Sequence, residues 1–152
     1  MEEIGVFIRA YNVKSYIDRC LSSVLSQTYS DFALYIIDNG CTDGTSEILD
    51  QYAQRDARIR LTRYEHNKPN TYIFYQFIQE KDHPYIAVID SDDWWEPNYL
   101  ERLLAFMQSN ELDISMTGTV DYVEETGISR VRRKVDRPVI MTQQEFAAQF
   151  PI

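Results

Sequence analysis

Short apolar runs and helix-spaced apolar residues take turns along this chain, and that alternation constrains its fold more than any other feature. Ile4–Ile8 is an apolar run that predicts a buried strand. Asn12 is placed to cap a helix in which Val13, Tyr16, Ile17, Cys20, Leu21, Val24 and Leu25 recur at helical spacing. Phe32–Ile37 predicts a second strand, stopped by Asp38-Asn39-Gly40. A polar turn, Cys41–Thr45, leads into a helix with Ile48, Leu49, Tyr52 and Ala53 on one face. Arg58–Arg63 predicts a third strand, and Asn67-Lys68-Pro69-Asn70 breaks the chain before an aromatic helix through Tyr72, Phe74, Tyr75, Phe77 and Ile78. Tyr85–Ile89 is wholly apolar, which places a fourth strand at a sheet centre covered on both faces. Pro97 sits near the start of a helix through Leu100, Leu103, Leu104 and Met107. Such a sequence of strands and helices predicts βαβ units with right-handed crossovers: an α/β fold with a mainly parallel sheet flanked by helices.

After about residue 110 the rhythm changes. Ile114–Tyr122 and Ile128–Val135 flank Glu124-Glu125-Thr126-Gly127, predicting a hairpin with Gly at its turn. Thr142-Gln143-Gln144-Glu145 has the form of a capping box opening a short helix, Phe146–Phe150. The 152 residues suit one domain. A formal net charge of −9 argues against a protein that holds nucleic acid by bulk positive charge. Cys20 and Cys41 are too few for a disulfide scaffold and have no metal-ligand spacing. The opening MEEIGVFIRAYN lacks the form of a signal peptide, and no apolar run approaches the roughly 20 residues that span a bilayer. A cytoplasmic protein without a transmembrane segment is the expectation, peripheral to the membrane at most.

Three polar clusters come directly after strands. Asp90-Ser91-Asp92-Asp93-Trp94-Trp95 puts three carboxylates within four residues after the most apolar strand. In open α/β sheets ligands collect at the carboxyl ends of strands, near a switch in strand order. Carboxylates crowded there repel one another unless a hard divalent cation offsets their charge, and Mg²⁺ or Mn²⁺ suits oxygen ligands and bridges to phosphates. The plainer alternative is a solvated acidic turn whose Asp92 or Asp93 caps the next helix. Asp38–Thr45, with Gly40 and Gly44, is either a tight turn with an N-cap at Thr42, Asp43 or Thr45, or a backbone cradle for an anion. Its two glycines form neither a dinucleotide fingerprint nor a P-loop. Arg9-Ala10-Tyr11-Asn12 comes after the first strand. All three clusters would meet on one rim of a parallel sheet.

Tyr11-Asn12, Ser23-Val-Leu-Ser-Gln-Thr-Tyr-Ser-Asp-Phe32, Asp38-Asn-Gly-Cys-Thr-Asp-Gly-Thr45 and Asp90-Ser-Asp-Asp-Trp-Trp-Glu-Pro97 together resemble family 2 glycosyltransferases, in order and spacing, across about the first 110 residues. The resemblance implies a Rossmann-like GT-A fold that binds a nucleotide-diphosphate sugar and transfers the sugar, with inversion, to an acceptor hydroxyl in glycan or polysaccharide biosynthesis. It implies a donor-nucleotide set of Ala10, Tyr11, Asp38, Asn39, Asp90 and Ser91. Asp92 would ligate Mn²⁺ or Mg²⁺ directly, and Asp90 would contact the ribose or the waters of the metal. The donor expected is a UDP-sugar, and the acceptor a saccharide or a lipid-linked one. Residues 1–110 would form the nucleotide-sugar-binding part of one domain, and 111–152 a hairpin and the start of the acceptor side. The family's general base lies in a later segment, so it is expected beyond Ile152, the chain reading as a truncated donor-binding portion. A binding module without transferase activity is the alternative.

Departures from the pattern are local. Arg9-Ala10 stands where the family has Pro-Thr. Asn39 replaces an aspartate that meets a uracil N–H, a bond that Asn can still accept through its carbonyl. Aromatics around Phe74-Tyr75 replace an Arg-Asn pair near the donor diphosphate, leaving Arg9 or Lys68 to compensate. Arg130, Arg132, Arg133, Lys134 and Arg137 read as a solvated basic hairpin rather than an anionic-ligand or membrane-surface contact. His66 and His83 stand apart from each other and from both cysteines, against a zinc site. Cys41 reads as a small packed side chain, and Trp94 and Trp95 as a sugar-stacking wall or as packing against the next helix.

Overall fold

The computed structural model describes residues 4–80, 82–124, 126–133, 139–142 and 144–145. The chain divides into two compact units, Met1–Asn110 and Glu111–Ile152. The first holds β1 (Ile4–Ala10), α1 (Ile17–Leu25), β2 (Phe32–Asn39), α2 (Thr45–Arg55), β3 (Ile59–Tyr64), α3 (Asn70–Glu80), β4 (Tyr85–Asp90) and α4 (Tyr99–Asn110). Its four strands are all parallel, in the order β3-β2-β1-β4. The α/β reading with a parallel sheet therefore holds. The chain steps outward from β1 to β3, then returns to the other side of β1 as β4, so the direction of winding switches between β1 and β4.

Period-two alternation sorts the strand residues onto two faces. Ile4, Val6, Ile8 and Ala10 of β1 join Phe32, Leu34 and Ile36 of β2 beneath Ile17, Cys20, Leu21 and Val24 of α1, Leu49 of α2, and Leu100 and Leu104 of α4. On the opposite face Phe7 and Ile37 pack under Ile73 and Phe77 of α3. The Phe7 ring meets Phe77 at 4.9 Å and Phe74 at 5.4 Å between centroids. The aromatic spacing of α3 thus makes the minor core.

Two expectations need correction. β4 lies at an edge of the described sheet, not at its centre. Only its Ile89 is buried, while Ile86 and Val88 are 40% and 48% exposed. An all-apolar run is read the same way whether one or both faces are covered, and α3 does not reach across these two residues. Asn12 does not cap α1: the helix begins at Ile17, its cap position Tyr16 makes no side-chain cap bond, and Asn12 takes a left-handed backbone with φ 52°. Smaller differences lie at strand ends, where β2 runs through Asp38 and Asn39 instead of stopping before them.

In the second unit β5 (Thr119–Val123) pairs antiparallel with β6 (Ile128–Arg133) across a turn in which Gly127 has φ 64°. Residues 114–118, expected in the first strand of the hairpin, are not in a strand, and residues 134–135 lie outside the described residues. Arg130 and Arg132 are exposed, Arg132 lying 3.8 Å from Asp121. Thr142 and Glu145 form the reciprocal bonds of a capping box: the Thr142 N–H donates to Glu145 Oε2 at 2.8 Å, and the Glu145 N–H to Thr142 Oγ1 at 3.3 Å. The helix expected at 146–150, Lys134 and Arg137 lie outside the described residues.

Candidate active site at the carboxyl edge of the sheet

Strand register brings the three clusters to one edge. Arg9 is the Cα partner of both Ile37 and Asp90, Ala10 pairs with Asp38, and Asn39 pairs with Tyr64. Ala10, Tyr11, Asp38, Asn39, Asp90 and Ser91 are therefore neighbours at the carboxyl ends of β1, β2 and β4. Their environments differ sharply.

Asp38 is buried and fully used. Its Oδ1 accepts the Cys41 N–H at 3.1 Å; its Oδ2 accepts the Ser46 hydroxyl at 2.6 Å and the Arg63 Nε–H at 3.2 Å. Burial pushes the carboxyl up, but these hydrogen bonds outweigh it and hold Asp38 below the ordinary value of 3.8. Asn39 has no exposed surface. Its amide nitrogen donates to Asn67 Oδ1 at 2.6 Å and to the Lys68 carbonyl at 2.9 Å, and its Oδ1 accepts the Lys68 N–H at 2.9 Å. The carbonyl that the resemblance turned toward a nucleobase is here bonded to the protein's own backbone.

The 41–45 segment is a brace. Three of its backbone N–H groups are spent inside the protein: Cys41 on Asp38, Thr42 on Asn12 Oδ1 at 2.8 Å, Thr45 on Asp43 Oδ1 at 3.0 Å. In return Val13 donates to Thr45 Oγ1 at 3.0 Å and Lys14 to Asp43 Oδ2 at 3.0 Å. The Cys41 thiol, pushed up to about 11 chiefly by burial, accepts the Asn12 N–H at 3.4 Å and donates to the Ala10 carbonyl at 3.5 Å. The block is a turn and brace, and the cap position of α2 is Gly44, with φ 97° and no side-chain cap bond, not Thr42, Asp43 or Thr45. It fixes residues 10–14, and so presents Tyr11, 39% exposed, at the rim.

Asp90, Asp92 and Asp93 are exposed, whereas Ser91 between them is buried. The Asp93 N–H returns to the Asp90 carbonyl at 3.1 Å, closing a turn. Buried beneath, the Cys20 thiol donates to that same carbonyl at 3.6 Å. Its pKa is pushed up to about 12, first by burial and then by Asp93, Asp92 and Asp90, whose negative field therefore reaches it together. Among the described residues no three His, Cys, Asp or Glu side chains are gathered where they could together hold a metal ion. Exposed carboxylates of this kind fit Mg²⁺ or Mn²⁺, which takes one or two carboxylates and completes its shell with water and substrate phosphate.

Residues missed as positioning groups secure the far side of this turn. The Trp95 N–H donates to Ser23 Oγ at 3.1 Å. Gln27, 6% exposed, donates to the carbonyls of Ser23 and Glu96 and accepts the Leu100 N–H at 3.0 Å. The Thr28 N–H donates to the Pro97 carbonyl at 2.8 Å. The signal was present as Ser23-x-x-x-Gln27-Thr28 at the end of a helix, where unpaired groups face whatever packs there. Trp95 stacks on Tyr99 at 4.4 Å, which is packing, while the Arg19 guanidinium lies 3.3 Å from the Trp94 ring centroid.

Comparison with known proteins adds three findings. The family model described as Glycosyl transferase family 2 matches residues 5–151. TuaG of Bacillus subtilis (strain 168), named for teichuronic acid biosynthesis, is 34% identical over 115 residues, 76% of this chain and 46% of TuaG. Glycosyltransferase GlyA of Streptococcus pneumoniae is 28% identical over 84% of this chain and 18% of its own. The chain thus spans less than half the length of these curated relatives. Among solved structures, Staphylococcus aureus TarS 1–349 in complex with UDP-GlcNAc aligns with TM-score 0.65 at 21% identity, covering 83% of this chain and 36% of TarS 1–349. The mannosyltransferase PcManGT of Pyrobaculum calidifontis, in complex with GDP-Man and Mn²⁺, aligns with TM-score 0.64 at 17% identity, covering 80% and 35%. These likenesses establish a GT-A type fold.

Proposed function

The chain belongs to glycosyl transferase family 2, and from that premise we propose that it supplies the donor side of a metal-dependent, inverting transfer of sugar from a nucleoside-diphosphate sugar to an acceptor hydroxyl. The observation that carries this reading is the register of Arg9 with Asp90, by which Tyr11 and the exposed Asp90 and Asp92 lie at adjacent strand ends at the β1–β4 switch point. Residues 1–110 are the donor-binding part, and 111–152 begin the acceptor side. A UDP-sugar is the favoured donor and a saccharide or lipid-linked molecule the acceptor, and the name of TuaG supports a place in polysaccharide biosynthesis. No helix among the described residues is long and apolar enough to cross a membrane. A cytoplasmic site of action suits a nucleotide-sugar donor.

In this reading Tyr11 lies against the base, Asp90 against the ribose, and Asp92 with Asp90 holds Mn²⁺ or Mg²⁺. Bound there, the metal would neutralise the diphosphate and stabilise it as a leaving group. The protein's own part is to hold the Asp90–Asp93 turn still, through Ser23, Gln27 and Thr28, and to keep Tyr11 at the rim through the 41–45 brace. An acid-rich chain would otherwise repel a diphosphate. Attack by the acceptor needs a general base, a role assigned to none of the described residues.

Calorimetry with UDP, GDP and CDP, each with and without Mn²⁺, on the wild type and Asp92→Ala tests this reading. At least one nucleotide should bind with Mn²⁺ and lose that metal dependence in the variant. Binding that ignores Asp92, or no binding, sinks it.

A further inference from the structure

The hydrogen bonds of Asn39 point away from the role its position suggests. Its amide can donate twice, and both donations go to the loop after β3, at 2.6 Å to Asn67 Oδ1 and 2.9 Å to the Lys68 carbonyl. Its oxygen takes the Lys68 N–H, and the side chain has no surface left for a ligand. The loop rests on Gly40 as well. Gly40 has φ 78°, and a Cβ there would stand 3.0 Å from the His66 carbonyl carbon and 3.1 Å from the Asn67 nitrogen. A side chain there would press on the loop backbone and strain the left-handed conformation, and glycine avoids both.

What the latch presents is a cation. Lys68 Nζ sits 3.8 Å from the centroid of the Tyr64 ring and 5.5 Å from that of Tyr72. The two rings bracket the ammonium without neutralising it. Nearby Arg63, in contrast, is committed to Asp38 and to Asp50, the latter at 2.7 Å. Lys68 lies past the carboxyl end of β3, beside Asn39, on the edge where Ala10 and Asp38 also end.

We propose that Asn39 is a positioning residue and not a reader of the nucleobase: it latches the Asn67–Lys68 loop onto the sheet edge, and through it holds the Lys68 ammonium for the anionic part of the donor. The proposal rests on the donor-site reading above and names a residue pair within it. A point charge on an aromatic platform gives attraction without selecting a base, so base preference and affinity should separate in this chain.

The test is a double-mutant cycle with UDP, GDP and CDP in the presence of Mn²⁺, measured at 10 °C where every variant used is shown to be folded. Lys68→Ala and Asn39→Ala should each weaken the best nucleotide by about 10-fold, and the double variant by no more than about 20-fold instead of the product. Asn67→Ala, at an exposed residue, removes one latch bond without opening the core and should weaken binding by about 3-fold, an effect absent in the Lys68→Ala background. It also serves if Asn39→Ala does not fold. The ratios between the three nucleotides should stay within about 2-fold throughout, Asn39→Asp included. The proposal is overturned if Lys68→Ala is neutral, if the effects multiply, or if Asn39→Asp changes the ratio between bases. It is equally overturned if Asn39→Ala lowers the melting temperature and leaves affinity untouched, which is what a purely structural asparagine would do. Should the wild type bind none of the three nucleotides, the donor-site reading itself has failed, a result distinct from all of these.

Discussion

Replacing Gln27 by leucine isolates what the bond set at the end of α1 contributes to the acidic turn. The side chains are close in volume, so the cavity contribution is small and the hydrogen bonds decide. Three bonds vanish: to the Ser23 carbonyl at 3.1 Å, to the Glu96 carbonyl at 2.8 Å, and from the Leu100 N–H at 3.0 Å. Ser23 keeps the Ser26 hydroxyl, and Glu96 is exposed, so water can partly replace the second. The Leu100 N–H, on a residue 3% exposed, is stranded outright. At about 1–3 kcal/mol for each buried group left unsatisfied, the loss is about 3 kcal/mol, from which leucine's apolar burial returns about 1. A net loss of about 2 kcal/mol should lower the melting temperature of a chain this size by about 4–8 °C. Gln27→Glu keeps an acceptor for Leu100 but loses both donations, so at pH 7 it should be at least as unstable as the leucine variant. Urea denaturation of both, with m-values compared, reads the effect. A loss under about 0.5 kcal/mol in Gln27→Leu would refute the reasoning, because the bonds would then be exchangeable for water at no cost.

Asp38 is held below its ordinary 3.8, so the folded state binds its proton later than the unfolded chain does. Its contribution is complete above that value and lost as pH falls below it; a pH series of urea midpoints should steepen below about pH 4 in the wild type and less so in Asp38→Asn. Gly40→Ala forces a side chain into a left-handed position against the His66 backbone and should cost about 1–3 kcal/mol by denaturant titration. The Cys20 thiol, fully buried with its pKa pushed up to about 12, should resist alkylation at pH 8 until denaturant is added; labelling at a solution-thiol rate in the folded protein would contradict its place beneath the acidic turn.

The sheet was legible because its signal is local. β1, β2 and β4 each contain a contiguous apolar run, β3 alternates Ile59 and Leu61 with polar residues, and each helix is periodic, so order and type are set by neighbours in sequence. β4 shows where locality ends. Val88 and Ile89 are equally apolar, yet Ile89 is 4% exposed and Val88 48%. The difference comes from α1 and α4 lying over one face and from α3 covering only part of the other, facts that no window around residue 88 contains. Asn12 shows the same limit. A cap for α1 was the nearest use for its side chain, but its carbonyl is claimed by the Thr42 N–H, 30 residues away.

The same limit separates two blocks that look alike on paper. Asp38-Asn39 and Asp90–Asp92 each end a strand, each is polar, and each lands on the same edge. What divides them is whether partners arrive from elsewhere in the chain. Ser46 and Arg63 come to Asp38, and Asn67 with Lys68 to Asn39, so those side chains are spent on holding loops. Ser91 is buried between two exposed carboxylates, and the turn there closes through the backbone of Asp90 and Asp93. Asp90 and Asp92 therefore reach the rim facing solvent, the condition under which a carboxylate can exchange water for a cation and its phosphate. A free valence, more than residue type, marks a binding group, and free valence is settled by tertiary contacts. Asp92→Asn against Asp38→Asn makes the distinction measurable: the first should abolish Mn²⁺-dependent nucleotide binding with little change in stability. The second should lower stability by about 1–3 kcal/mol through its buried bonds. The reverse pattern would mean that the buried block, and not the exposed one, carries the metal.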